Sequence, residues 1–157
     1  MLRILQSLTL VSISAFTGSC FIIAFVLIPF WKTMSPPEVV NWFATWSPRI
    51  GSTMLLMEGF GIIFSIFTYK HFLKYQATAR LQWLISMISL SLSFIISLSF
   101  ILFFLYFSAL NIARAHGDLQ VATVSSELKL WEYSHLLRMF FSGVALIVGL
   151  ISLYETD

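Results

Sequence analysis

Leu128-Lys-Leu-Trp-Glu-Tyr-Ser-His-Leu-Leu-Arg-Met-Phe-Phe-Ser-Gly-Val-Ala-Leu146 is the stretch on which the reading of this chain turns. At 3.6 residues per turn, Trp131, His135 and Arg138 stack on one helical face, and the same face continues through Ser142, Ala145 and Gly149. The other faces carry Leu, Ile, Val, Phe and Met. A helix of this kind has a lipid side and a protein side. An arginine and an imidazole on the protein side are costly unless the rest of the chain meets them.

Composition points the same way. Of 157 residues, 59% are hydrophobic and only 10% charged, and the mean hydropathy is +0.91. A water-soluble domain made from this chain would lack the polar surface to cover itself. Apolar runs at residues 5–30, 50–69, 81–113 and 128–153 are each long enough to cross a hydrocarbon core of about 30 Å. The expected fold is all-α: one integral membrane four-helix bundle, with a short amphipathic helix in the first loop. The net charge of +2 rests on few ionic groups, and no basic run interleaved with aromatics suggests nucleic acid. The single cysteine, Cys20, leaves no intrachain disulfide and no thiolate metal site.

The first run begins after Arg3 and contains Thr17-Gly-Ser-Cys20, which imitates a signal peptide. The apolar sequence continues through Phe30, so a retained span is expected. Ser14 and Gly18 form a small-xxx-small pair suited to close helix approach. Pro29 and Trp31 mark the end of the span at an interface. Ser35-Pro-Pro-Glu38 then has the form of a capping box with prolines in the first turn. It predicts a short helix from Pro36 to about Trp46, lying in the interface or closing over a cavity, and broken at Ser47-Pro48.

Glu58 stands about 12 Å into the second span, counted from Ile50 at 1.5 Å per residue. A carboxylate at that depth is expected to face the interior and find a partner. Lys70, Lys74 and Arg80 crowd the second connection, which favours a cytoplasmic location for it and for both termini, in what reads as a bacterial cytoplasmic membrane. His71 belongs to this solvated turn. Along the third span, Ser86, Ser89, Ser93 and Ser97 form a stripe that reads as a packing seam or a polar path. Phe94, Phe100, Phe103, Phe104, Tyr106 and Phe107 make its outer half aromatic. Gly117-Asp118 signals a turn, and Ser125-Ser126-Glu127 a cap for the final helix.

Arg138 lies about 16 Å in from Glu127, so Glu58 and Arg138 match in depth if the second and fourth spans are neighbours. They are the expected buried pair. His135, one turn shallower, is then placed to act as an acid-base group. Glu132 and His135 also make one E-x-x-H pair, half of what carboxylate-bridged metal sites in bundles use, so no metal is assigned.

Two stretches carry a resemblance: Ile28-Pro-Phe-Trp-Lys-Thr-Met-Ser-Pro-Pro-Glu38, followed by Trp42 and Arg49-Ile-Gly51, and Leu130-Trp-Glu-Tyr-Ser-His-Leu-Leu-Arg138. With them the chain resembles the anthrone-oxygenase family of small four-helix membrane proteins, whose named members oxidise a ring methylene to a quinone with molecular oxygen and no classical cofactor. The resemblance implies His135 as the base, Arg138 as the cation that holds the developing phenolate or enolate, and Trp131 as a stacking platform. Trp42, Arg49 and Asn111 are the further implied substrate contacts, and Glu58 joins the catalytic group through its pairing with Arg138. The implied partner besides the lipid bilayer is an apolar or aromatic small molecule near the outer leaflet. A non-enzymatic subunit packed against a copy of itself or a larger membrane partner is the alternative, with Glu58, His135 and Arg138 as interhelical contacts. The sequence leaves the cofactor undetermined.

Overall fold

The computed structural model describes residues 2–73, 77–115 and 121–154, with side chains described except at 77–78, 99–124 and 127. Four long helices make up the described chain: α1 Leu2–Trp31, α2 Pro36–Phe72, α3 Ala77–Ala115 and α4 Val121–Tyr154. Each contains a stretch long and apolar enough to cross a bilayer, and the protein is a multi-pass membrane protein with an all-α four-helix bundle. α1 packs on α2 and α4, and α3 packs on α2 and α4, so α2 and α4 face each other across the centre. Short connections between consecutive helices give this up-and-down order.

Two local features depart from the sequence expectation. Pro48 does not break the chain into an amphipathic helix and a separate span, because α2 runs through it. The capping box at Ser35 and Glu38 does start this helix, as the sequence requires. A proline removes one intrahelical donor, here the one that would reach the Ala44 carbonyl. In the turns before it Ser47 Oγ donates to the Phe43 carbonyl and Thr45 Oγ1 to that of Asn41. The second departure is in α1, which contains a π-helical turn at Ile23–Leu27 where the Ile28 amide donates to the Ile23 carbonyl. Pro29 follows directly. Widening the turn before a proline relieves the clash of its ring with the carbonyl four residues back.

The interior is polar and small, and the outside is greasy. Ser86, Ser93, Ser97, Ser142 and Ser65 are buried, while Phe25, Leu56, Phe60, Phe140 and Ile147 are exposed toward lipid. The serine stripe of α3 is thus a seam, and Ser86 Oγ donates to the Ala145 carbonyl of α4 at 2.8 Å. Thr9 of α1 and Thr68 of α2 share a hydrogen bond of 3.2 Å. The final helix starts at Val121, which puts Ser125 and Ser126 inside it instead of at its cap.

Small residues matter only where a neighbour presses on them. A Cβ on Gly149 would stand 3.0 Å from Leu10 Cδ2 and 3.5 Å from Ser86 Oγ, whereas one on Gly18 would meet nothing within 4 Å. Ser14 and Gly18 point out of the bundle, so the close approach expected from their spacing is not made within it. Gly149→Leu should therefore cost about 1–3 kcal/mol through overpacking. Gly18→Leu should stay within about 0.5 kcal/mol. Unfolding in mixed micelles, followed by tryptophan fluorescence, checks the contrast.

Candidate functional site

The face read from Trp131 to Arg138 does point into the bundle: His135 is fully buried, and Arg138 and Trp131 are 5% and 6% exposed. Arg138 stands one turn below His135, near enough for their side chains to meet. Its Nη2 donates to His135 Nδ1 at 2.8 Å. A guanidinium has no acceptor, so Nδ1 supplies the lone pair and the ring proton sits on Nε2. That nitrogen donates to the Cys20 carbonyl of α1 at 3.0 Å, one turn before the π-helical stretch. Both ring nitrogens are engaged, and the imidazole is held as a neutral tautomer between α1 and α4.

Glu58 enters from α2. It is fully buried, accepting from Ser93 Oγ and Ser97 Oγ at 2.5 Å each, one serine on each carboxylate oxygen. Arg138 Nη1 donates to the same Ser97 Oγ at 3.3 Å. The expected pairing of Glu58 with Arg138 therefore takes place through a hydroxyl of α3. The geometry of the bundle explains this, because α2 and α4 are diagonal and α3 lies beside both. The carboxylate and guanidinium still offset one another in a medium where either alone would be costly. Arg138 is further enclosed by the Phe16 ring, 5.4 Å from its guanidinium carbon, and by Met54 Sδ at 3.9 Å from Nη2. Cys20, a buried free thiol, lies beside it.

Aromatic rings cover this network on the side of the first connection. Trp131 stacks on the His135 imidazole with centroids 5.1 Å apart and planes 6° from parallel. Its edges meet Trp31 at 5.1 Å and Phe43 at 5.7 Å, and Trp31 in turn meets Trp42 at 4.8 Å. Trp31, expected at an interface, is 4% exposed. Between the rings and the network lies a pocket lined by Trp31, Trp42, Phe43 and Trp131, with Ser47, Ser97 and Arg138 as polar side chains and Ile23, Leu27, Ile50 and Met54 toward the gap between α1 and α2. Its cavity volume is about 30 Å³, within about 460 Å³ counting the open mouth. The enclosed part has room for about one water.

The other sequence candidates fall outside this enclosure. Glu132 accepts from Lys32 Nζ at 2.7 Å, tying the end of α1 to α4, so the two residues of the E-x-x-H pair face different partners. Among the described residues there is no group of three or more His, Cys, Asp or Glu side chains placed to hold a metal. Arg49 is exposed, with its guanidinium over the Trp46 ring at 5.6 Å, on the far side of Ile50 and Met54 from the pocket. Asn111, the aromatic set from Phe100 to Phe107, the Gly117-Asp118 turn and Glu127 lie outside the residues whose side chains are described. The site also contains residues to which the sequence reading gave no such role: Ser97, Phe16, Phe43 and the Cys20 carbonyl. Only Ser93 and Ser97 carried a signal, a one-turn spacing that lets two hydroxyls reach both oxygens of one carboxylate. Comparison with known proteins finds no matching family model, no matching curated protein and no matching solved structure.

Proposed function

We propose that this membrane protein takes a planar aromatic molecule from the bilayer through the open mouth of the tryptophan-lined pocket, the rings parting to seat it, and promotes loss of a proton from it beside Arg138. The observation that carries this reading is the position of Ser97. It lines the pocket, donates to Glu58 and accepts from Arg138. A substrate proton passed to Ser97 Oγ can be matched by transfer of the serine proton to Glu58 Oε2, leaving the substrate anion facing the guanidinium. In this assignment His135 orients Arg138 and is not the base, since its Nδ1 lone pair is already taken. The resemblance to anthrone oxygenases supplies the overall reaction: a ring methylene loses two hydrogens and gains one atom of dioxygen, and the second oxygen atom leaves as water.

An anthrone added to the purified protein tests this, with oxygen uptake and quinone absorbance as readouts. Oxygen uptake should exceed the buffer rate, and Ser97→Ala should lower the enzymatic rate by about 10²-fold. Anthrone binding seen by tryptophan quenching, with oxygen uptake left at the buffer rate, would refute the chemistry. The charge of Lys70 and Arg80 supports placing the second connection and both termini in the cytoplasm of a bacterial cell, with the pocket toward the outer leaflet. A second reading, an accessory subunit without catalysis, draws on Ser14 and Gly18 facing outward with open space over Gly18. Stoichiometric co-purification with another membrane protein would favour it.

A further inference from the structure

We propose that the groove between α1 and α2 binds an anionic phospholipid, with the phosphate on Arg49 and one acyl chain lying over Ile23 and Leu27. The groove has a volume of about 360 Å³, with Ile22, Ile23, Leu27 and Ile50 among its walls and Arg49 and Thr53 among its polar groups. The π-helical turn of α1 supplies Ile23 and Leu27, so the groove sits where Pro29 has widened the helix.

Depth selects the headgroup. Arg49 and Lys70 lie on one continuous helix, about 31 Å apart by rise alone, which matches the hydrocarbon thickness of about 30 Å. Between them Glu58 is the single formal charge, and it faces inward. Arg49 therefore stands at headgroup level with its groove reaching into the acyl region. Its guanidinium is exposed and steadied over the Trp46 ring at 5.6 Å. Among the described residues no carboxylate pairs with it. A guanidinium in this state offers two parallel N–H donors to a phosphate. A net negative lipid adds Coulomb attraction that a zwitterionic one does not.

The groove shares Ile23, Leu27, Ile50 and Met54 with the tryptophan-lined pocket, so a bound acyl chain lies against the outer side of the pocket wall. The site itself stands whether or not the pocket is catalytic. Native mass spectrometry of the detergent-purified protein, incubated with phosphatidylglycerol or phosphatidylcholine, reads it directly. Wild-type protein should retain the first about five-fold over the second, the ratio expected for one basic residue near the surface. Arg49→Gln should abolish that preference, and Thr53→Trp, which fills the groove and keeps the charge, should reduce retention of both lipids. Arg80→Gln, beside the second connection, should leave the preference intact. Equal retention of the two lipids by wild type, or equal losses in Arg49→Gln and Arg80→Gln, would overturn the assignment.

Discussion

Replacing Arg138 by leucine is expected to lower the unfolding free energy by about 3–5 kcal/mol, the scale for removing one partner of a buried charge pair. Two groups lose a hydrogen bond and a third its counter-charge. His135 Nδ1 is left without the 2.8 Å bond from Nη2, Ser97 loses its contact to α4, and Glu58 stays fully buried on Ser93 and Ser97 with the guanidinium beyond them gone. Arg138→Gln, which keeps an amide donor, should cost less. Equilibrium unfolding in mixed micelles, followed by tryptophan fluorescence, measures both. A leucine variant as stable as wild type would mean that the guanidinium is not needed to hold the carboxylate inside.

Trp131→Ala should cost a similar amount, about 3–5 kcal/mol, for a different reason. Its ring is the shared neighbour of His135, Trp31 and Phe43, with centroid distances of 5.1, 5.1 and 5.7 Å. Truncation opens a cavity between the aromatic cluster and the polar network, and it uncovers the face of the imidazole. Trp131→Phe should recover most of the loss, because a smaller ring still covers His135. Near-ultraviolet circular dichroism should weaken more in the alanine variant than the removal of one chromophore explains. A change no larger than one exposed tryptophan contributes would show that the ring is peripheral.

Much of the fold was legible because membrane spanning is governed by run length and by which face is polar. Four apolar runs gave the bundle, and the spacing of Trp131, His135 and Arg138 identified the face turned inward. The depth of Glu58 likewise announced a buried carboxylate. What the pattern did not carry is the order of helices around the bundle. Counting rise along two helices matches their depths and says nothing of whether they touch, so Glu58 and Arg138 looked like direct partners when Ser97 of α3 stands between them. The serine stripe held that information in ambiguous form, since packing seams and hydrogen-bond donors use the same residue at the same spacing.

The misread boundaries have a common origin. Pro48 looks like a helix stop on local grounds, but it removes a single donor, and α2 runs through it from Pro36 to Phe72. Trp31 does end the first helix, as its place after an apolar run suggests, but that end of α1 folds against α2 and α4, and the ring is buried among others. Ser14 and Gly18 look like a packing pair and face outward, because small residues occur on more than one side of α1. The tautomer of His135 could not be foreseen, as it depends on a backbone carbonyl from another helix.

The most direct test of the buried network is a double-mutant cycle between Glu58→Gln and Arg138→Gln, read as unfolding free energy in micelles. Residues joined through one hydrogen-bonded hydroxyl should couple, with an interaction energy in the range of about 0.5–3 kcal/mol and each single variant costing more than it does in the background of the other. Strictly additive losses would contradict a carboxylate and a guanidinium meeting at Ser97.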